Sequence, residues 1–346
     1  GPTRRHSLHR RLSCIRQSQL HHGTNGTRQR RRSHVLIEIC RTRPASLADY
    51  QEWNAAGNLK ELGGHPTPMK VFISCDMEGI SGVTGPEETN PKKDAYRRFR
   101  KIMTGDVNAA VEGALLAGAT EILVNDSHWD MRNILVEELN PKAQLISGSD
   151  KPLSMMQGID DSFDLAMFVG YHARAGTAAA IMDHTIFGKM VVDVWINEAL
   201  VGETGINAGI AGYFGVPVGA VTGDDKVTRE AMALLGNIET AVVKESIDRY
   251  AARCFPLGQS RERIKNAAKR AVMRKGELKA LKYPSPVKFK VRLASSAEAA
   301  VACTLHGVTR EDPRTVSLIA DDFLEAFRMF RATLGLASTK ADEAFG

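Results

Sequence analysis

Cysteine is scarce in this 346-residue chain. The five present, Cys14, Cys40, Cys75, Cys254 and Cys303, are odd in number, scattered and without Cys-x-x-Cys spacing. That pattern excludes a disulfide scaffold and a thiolate zinc site, and it suits a reducing compartment such as the cytoplasm. No apolar run approaches the roughly 20 residues that a membrane-spanning helix needs. The sequence also lacks an internal repeat and a recognisable Gly-rich phosphate loop.

A basic surplus is missing too, once the chain is divided. The formal charge of +6 comes from residues 1–68, which hold 12 Lys and Arg against 4 Asp and Glu; the remaining chain holds 34 basic against 36 acidic residues. By composition the body is not a nucleic-acid-binding protein. Residues 1–68 are rich in Arg, His, Ser and Gln and show no core-forming period, so a disordered, non-catalytic extension is expected there. Its one apolar patch, Val35 to Cys40, is too short for a signal-peptide core, although an Arg- and Ser-rich, acid-poor start resembles a transit peptide. Because the chain opens Gly-Pro while Met69-Lys70 leads directly into a patterned strand, Met69 is expected to be close to the natural start. The body then spans residues 69–338, with a short tail at 339–346.

What is present is alternation. "KVFISC", "EILVNDS", "LAMFVGY", "MVVDVWIN", "VPVGAVTG", "TAVVKES" and "VKFKVRLA" read as strands. Between or after them, "DAYRRFRKIMTGDVNAAVEGALLAGA", "GINAGIAGYF", "REAMALLG", "RERIKNAAKRAVMR", "SAEAAVACTL" and "DDFLEAFRMFRATLGL" carry apolar residues at helical spacing. Alternating strands and helices predict an α/β fold with a mostly parallel sheet flanked by helices. The two prolines of "KALKYPSPVKFKV" break that rhythm and predict a smaller mixed C-terminal lobe from about residue 280.

The first strand stops at two acids one residue apart, Asp76 and Glu78. On an extended chain they point to the same side, whereas Cys75 points to the other and is expected in the core. Two such charges repel, and burying them is costly unless a histidine, an arginine or a metal ion lies between. Only four histidines lie outside the basic extension, and three of them stand at or just beyond strand ends: His128 in "LVNDSHWD", His172 in "FVGYHARAG" and His184 in "IMDHTIFG". Each alone reads as an ordinary loop histidine, as His306 does, and Glu203 in "GET" as a helix-start acid. Together at the carboxyl ends of strands, where open α/β sheets bind ligands, three imidazoles and two carboxylates form an N/O-donor set suited to Zn²⁺ or a similar divalent ion.

The motifs "KVFISCDMEGISG", "LVNDSHWDM", "LISGSDKPLSMMQGID", "FVGYHARAGT", "GETGINAGIAGYFGVPV" and "GDD", in this order from Met69 to about Leu336, resemble the D-aminopeptidase family of dinuclear zinc peptidases, the dipeptide-transport-operon type. The resemblance implies hydrolysis of short peptides, with release of N-terminal D-amino acids, by water activated on two zinc ions per subunit. It further implies that Asp76 bridges both ions, that Glu78 binds one, and that His128, His172 and Glu203 complete the ligands. His184 falls at the family's catalytic histidine, although the His172–His184 spacing is one residue longer than the family pattern. A homo-oligomeric ring, a decamer in the type member, is implied by the resemblance alone. Asp126 is a candidate to orient a ligand imidazole and Arg174 to meet a peptide carboxylate. The alternatives are a two-metal phosphoesterase, since such sites also hydrolyse phosphate esters, and a non-catalytic peptide-binding protein of the same fold.

Overall fold

The apolar runs and amphipathic segments resolve into two sheets and seven helices in the computed structural model, which describes residues 68–341. Almost all of the basic extension and residues 342–346 lie outside the described residues, so the readings made for them are not addressed by the fold. In chain order the elements are β1 (Lys70–Cys75), α1 (Pro86–Thr89), α2 (Asp94–Leu116), β2 (Glu121–Asp126), β3 (Ala143–Ile146), β4 (Leu165–Tyr171), β5 (Val191–Ile196) and β6 (Ala199–Val201). There follow α3 (Glu203–Tyr213), β7 (Val218–Asp224), α4 (Asp225–Leu235), β8 (Glu239–Asp248), β9 (Ala251–Cys254) and α5 (Leu257–Met273). The chain closes with β10 (Val287–Leu293), α6 (Ser296–Ala302), β11 (Val308–Arg310), β12 (Thr315–Ala320) and α7 (Phe323–Ala337).

The first sheet has the order β3-β2-β1-β4-β7-β8-β9. Every pairing in it is parallel except the terminal hairpin of β8 and β9. All seven residues of β4 and all seven of β7 are buried, which is why β4 reads as an unbroken apolar run rather than an alternating one. One face packs on α2 and α5, with Phe99, Met103, Val107, Ile264 and Ala268 among the contacts, and Cys75 belongs to this core. The other face shares a core with α3, α7 and the second sheet through Phe168, Ile206, Val194, Phe289 and Phe327.

The second sheet, β11-β12-β10-β5-β6, is antiparallel throughout. Three of its strands come from the C-terminal part and two, β5 and β6, from the middle of the chain. In β5, Val194 and Ile196 are buried while Asp193 and Trp195 are partly open, the period-2 signature of such a sheet. A register shift between Arg292 and Leu293 of β10 lies opposite Val191, which is buried out of that phase. No helix among the described residues is long and apolar enough to cross a membrane.

The order of the first sheet places the site. Strand β1 connects onward to β2 on one side, and β4 lies on its other side, so the direction of strand addition reverses between β1 and β4. In open α/β sheets a crevice opens at the carboxyl ends of strands at such a reversal. The residues that follow β1, β2 and β4 therefore meet above that crevice.

Candidate metal centre

Asp76 and Glu78 leave the end of β1, His128 follows β2, His172 follows β4, and Glu203 opens α3. All five are buried. His184, in the loop after β4, is partly open, with 21% of its side chain exposed.

The loop carrying the two acids is held from below. The Asp76 N–H donates to the Val169 carbonyl and the Gly79 N–H to the Gly170 carbonyl, both at 2.8 Å. Gly79 passes so close to β4 that a Cβ there would stand 1.9 Å from the Tyr171 carbonyl oxygen; only glycine fits. The buried Lys244 ammonium donates to the backbone carbonyls of Glu78, Ile80 and Val83 at 2.6, 2.9 and 2.7 Å. Burial lowers its pKa to about 8, and these three acceptors offset that cost.

Asp76 faces two ways. Its Oδ1 lies 3.2 Å from His128 Nδ1, and its Oδ2 lies 3.3 Å from His172 Nε2. Around the first contact, Glu78 Oε2 stands 3.0 Å from His128 Nδ1. Around the second, Glu203 Oε2 stands 3.4 Å from His172 Nε2, and His184 Nε2 is 3.8 Å from Glu203 Oε1. The His172 and His184 rings stack with centroids 4.0 Å apart.

Backbone carbonyls engage the far nitrogen of each ring. His128 Nε2 meets the Thr89 carbonyl at 3.1 Å, His172 Nδ1 the Ala173 carbonyl at 3.0 Å, and His184 Nδ1 the Met182 carbonyl at 2.8 Å. A carbonyl can only accept, so each of those nitrogens carries a proton and the opposite nitrogen is turned toward the carboxylates, the orientation found around ligating histidines.

The spacing fits a metal better than a salt bridge. Charge-assisted N–H···O bonds run at about 2.7–2.9 Å. Two ligand atoms each about 2.0–2.1 Å from one tetrahedral zinc lie about 3.3 Å apart. Glu78 Oε2 and His172 Nε2 are buried without a properly aligned hydrogen-bond partner, as donor atoms aimed at an ion would be. Donor atoms of Asp76, Glu78 and His172 fall within 4.8 Å of one another, and so do those of His172, His184 and Glu203.

The electrostatics follow the same logic. Burial and the adjoining Glu78 charge push the Asp76 carboxyl above its ordinary range. Burial pulls Glu78 and Glu203 upward too, but facing imidazoles outweigh it: His128 holds Glu78 well below its usual value, and His172 holds Glu203 at about 2. Burial favours neutral imidazoles, yet Glu78 holds His128, and Glu203 holds His172, well above the ordinary histidine value. Three clustered carboxylates demand positive charge, which protons on the imidazoles or divalent cations can supply.

Asp126 touches no imidazole. Its carboxylate accepts the N–H groups of Asn133 and Ile134 and the Asn133 amide, and that amide also donates to the His128 carbonyl. It therefore fixes the loop bearing His128 rather than the ring. Arg174 gives its N–H to Glu230 and a guanidinium N–H to the Ala175 carbonyl.

Lys244 was not legible in the sequence. Regular alternation along β8 groups it with the half-buried Thr240 and Val242. A register shift between Gly223/Val242 and Asp224/Lys244 inserts one extra residue into β8 and turns Lys244 inward.

Known proteins resemble this arrangement over most of its length. A profile of the D-aminopeptidase family matches residues 69–332. A D-aminopeptidase of Bacillus subtilis (strain 168) is 40% identical over 270 residues, covering 78% of this chain and 98% of that protein. The solved structure of the Zn-dependent D-aminopeptidase DppA from Bacillus subtilis, described as a self-compartmentalizing protease, superposes with a TM-score of 0.77 at 39% identity, covering 80% of this chain and 100% of that one. The chain belongs to the D-aminopeptidase family.

Proposed function

We propose that this chain is a zinc-dependent aminopeptidase that removes N-terminal D-residues from short peptides and holds two zinc ions per subunit. The observation that carries the reading is the double aspect of Asp76, whose two carboxylate oxygens face two separate imidazoles. One ion would be held by Asp76, Glu78 and His128, the other by Asp76, His172 and Glu203. When bound, such ions supply Lewis acidity, polarising a peptide carbonyl and acidifying water near neutral pH. The protein's part is to hold the ligands rigidly at strand ends and to exclude bulk water from five buried donors. His184, with Nδ1 committed to the Met182 carbonyl, offers Nε2 to take a proton and return it to the leaving amine.

Zinc analysis of the purified chain, with a panel of D- and L-aminoacyl dipeptides and phosphate esters, tests this. The expected result is about two zinc ions per chain and turnover confined to peptides with a D-residue at the amino end. Turnover of phosphate esters alone would replace the reading with a phosphoesterase, and metal without turnover of either class would leave a binding protein. A ring of ten subunits is proposed on the family resemblance, supported by the self-compartmentalizing description of the relative, and a cytoplasmic location on the scarce, unpaired cysteines. Light scattering on the same sample would contradict the ring with a monomer.

A further inference from the structure

Arg331 projects from α7, the helix that packs against α3 and whose apolar face, Phe323, Phe327, Phe330 and Leu334, fills the core between the sheets. Its guanidinium carbon lies 6.0 Å from the centre of the Phe187 ring. Phe187 belongs to the turn between His184 and Gly188, and the preceding Ile186 N–H donates to Glu203 Oε1 at 2.7 Å. Arg331 thus borders the Glu203 side of the cluster. Burial lowers its pKa, and Glu203 is the charge that opposes the shift.

Four other cations near the site are engaged. Lys244 serves three carbonyls, Arg249 pairs with Asp183, Lys151 holds Asn125 and the Asp126 carbonyl, and Arg174 holds the Ala175 carbonyl. The Arg331 guanidinium makes no hydrogen bond and no ion pair among the described residues; it lies over the Phe187 ring. A guanidinium carries five N–H donors; Arg331 is half-buried, and each donor turned away from water without an acceptor carries a cost. An anionic ligand arriving beside Glu203 would repay that cost, and a fork of N–H groups matches a carboxylate in particular.

A short peptide carries such a group at a fixed reach. Its C-terminal carboxylate lies one or two residues beyond the scissile bond, and each residue spans at most about 3.3–3.6 Å. Building on the peptidase reading, we propose that Arg331 receives the C-terminal carboxylate of a di- or tripeptide and so restricts the site to short substrates.

The test is calorimetric titration of the zinc-loaded chain with the aminomethylene isostere of D-alanyl-glycine, which resists hydrolysis, as free acid and as C-terminal amide. The parent should bind the acid roughly 10–100-fold more tightly than the amide, the usual worth of a charge-assisted pair. Arg331→Gln should bring that ratio to about one, and Arg331→Lys should retain part of it. Equal affinity for acid and amide in the parent, binding of neither, or an equal loss on both ligands in Arg331→Gln would overturn the assignment. Hydrolysis of D-alanyl-glycine by the parent is followed separately. Its failure would count against the peptidase reading, while the acid-to-amide ratio still decides the role of Arg331.

Discussion

Asp76→Ala is expected to strip the site of at least one zinc ion and to lower peptide turnover by on the order of 10³ or more, because Lewis acidity from the paired ions is lost. Asp76 is the acid that both imidazoles share: Oδ1 is 3.2 Å from His128 Nδ1 and Oδ2 is 3.3 Å from His172 Nε2. Alanine removes both contacts and one of three negative charges, so two cations would face each other with less screening. The rest of the fold should persist, because the loop remains fixed by the Gly79–Gly170 bond and the three Lys244 bonds. Zinc per chain by plasma mass spectrometry and initial rates on a D-aminoacyl dipeptide check the two parts together. Full retention of zinc would show that Asp76 does not bridge.

His184→Ala should have an effect of similar size on turnover and a different one on metal. The candidate ligands are buried, whereas His184 keeps 21% of its side chain open and stands 3.8 Å from Glu203 Oε1, farther than the 3.0–3.4 Å imidazole–carboxylate contacts of His128 and His172. Zinc content is therefore expected to stay near that of the parent. The rate should fall by roughly two to four orders of magnitude, the range for losing one acid–base group or oxyanion donor. Loss of a zinc in the variant would make His184 a ligand, a role its proximity to His172 and Glu203 permits. An unchanged rate would move the proton-transfer role to another group.

Much of this site could be read from the sequence, for a physical reason. In a parallel sheet the central strands are apolar on both faces, so the polar residue that ends such a strand stands out, as Asp76 does after "VFISC" and His172 after "LAMFVGY". Glu203 was legible only through its motif, since a lone acid at a helix start has a commoner explanation. Asp126 was a candidate to orient a ligand imidazole, but two backbone N–H groups and the Asn133 amide occupy its carboxylate. The strand β12, "TVSLIA", is not picked out by the pattern analysis, and "MVVDVWIN" looks like another strand of the first sheet. Its membership in the second depends on pairing with β10, nearly a hundred residues away, which no local pattern encodes. Lys244 and Arg331 were hidden for the same reason: each looks like an ordinary polar position until distant segments close around it.

The central claim is that one carboxylate joins two zinc ions. Diffraction from crystals of the zinc-loaded chain, recorded on both sides of the zinc absorption edge, tests it most directly. The account predicts two anomalous peaks flanking Asp76, one beside His128 Nδ1 and Glu78 and the other beside His172 Nε2 and Glu203. A single peak, or two peaks that Asp76 does not touch, would contradict it.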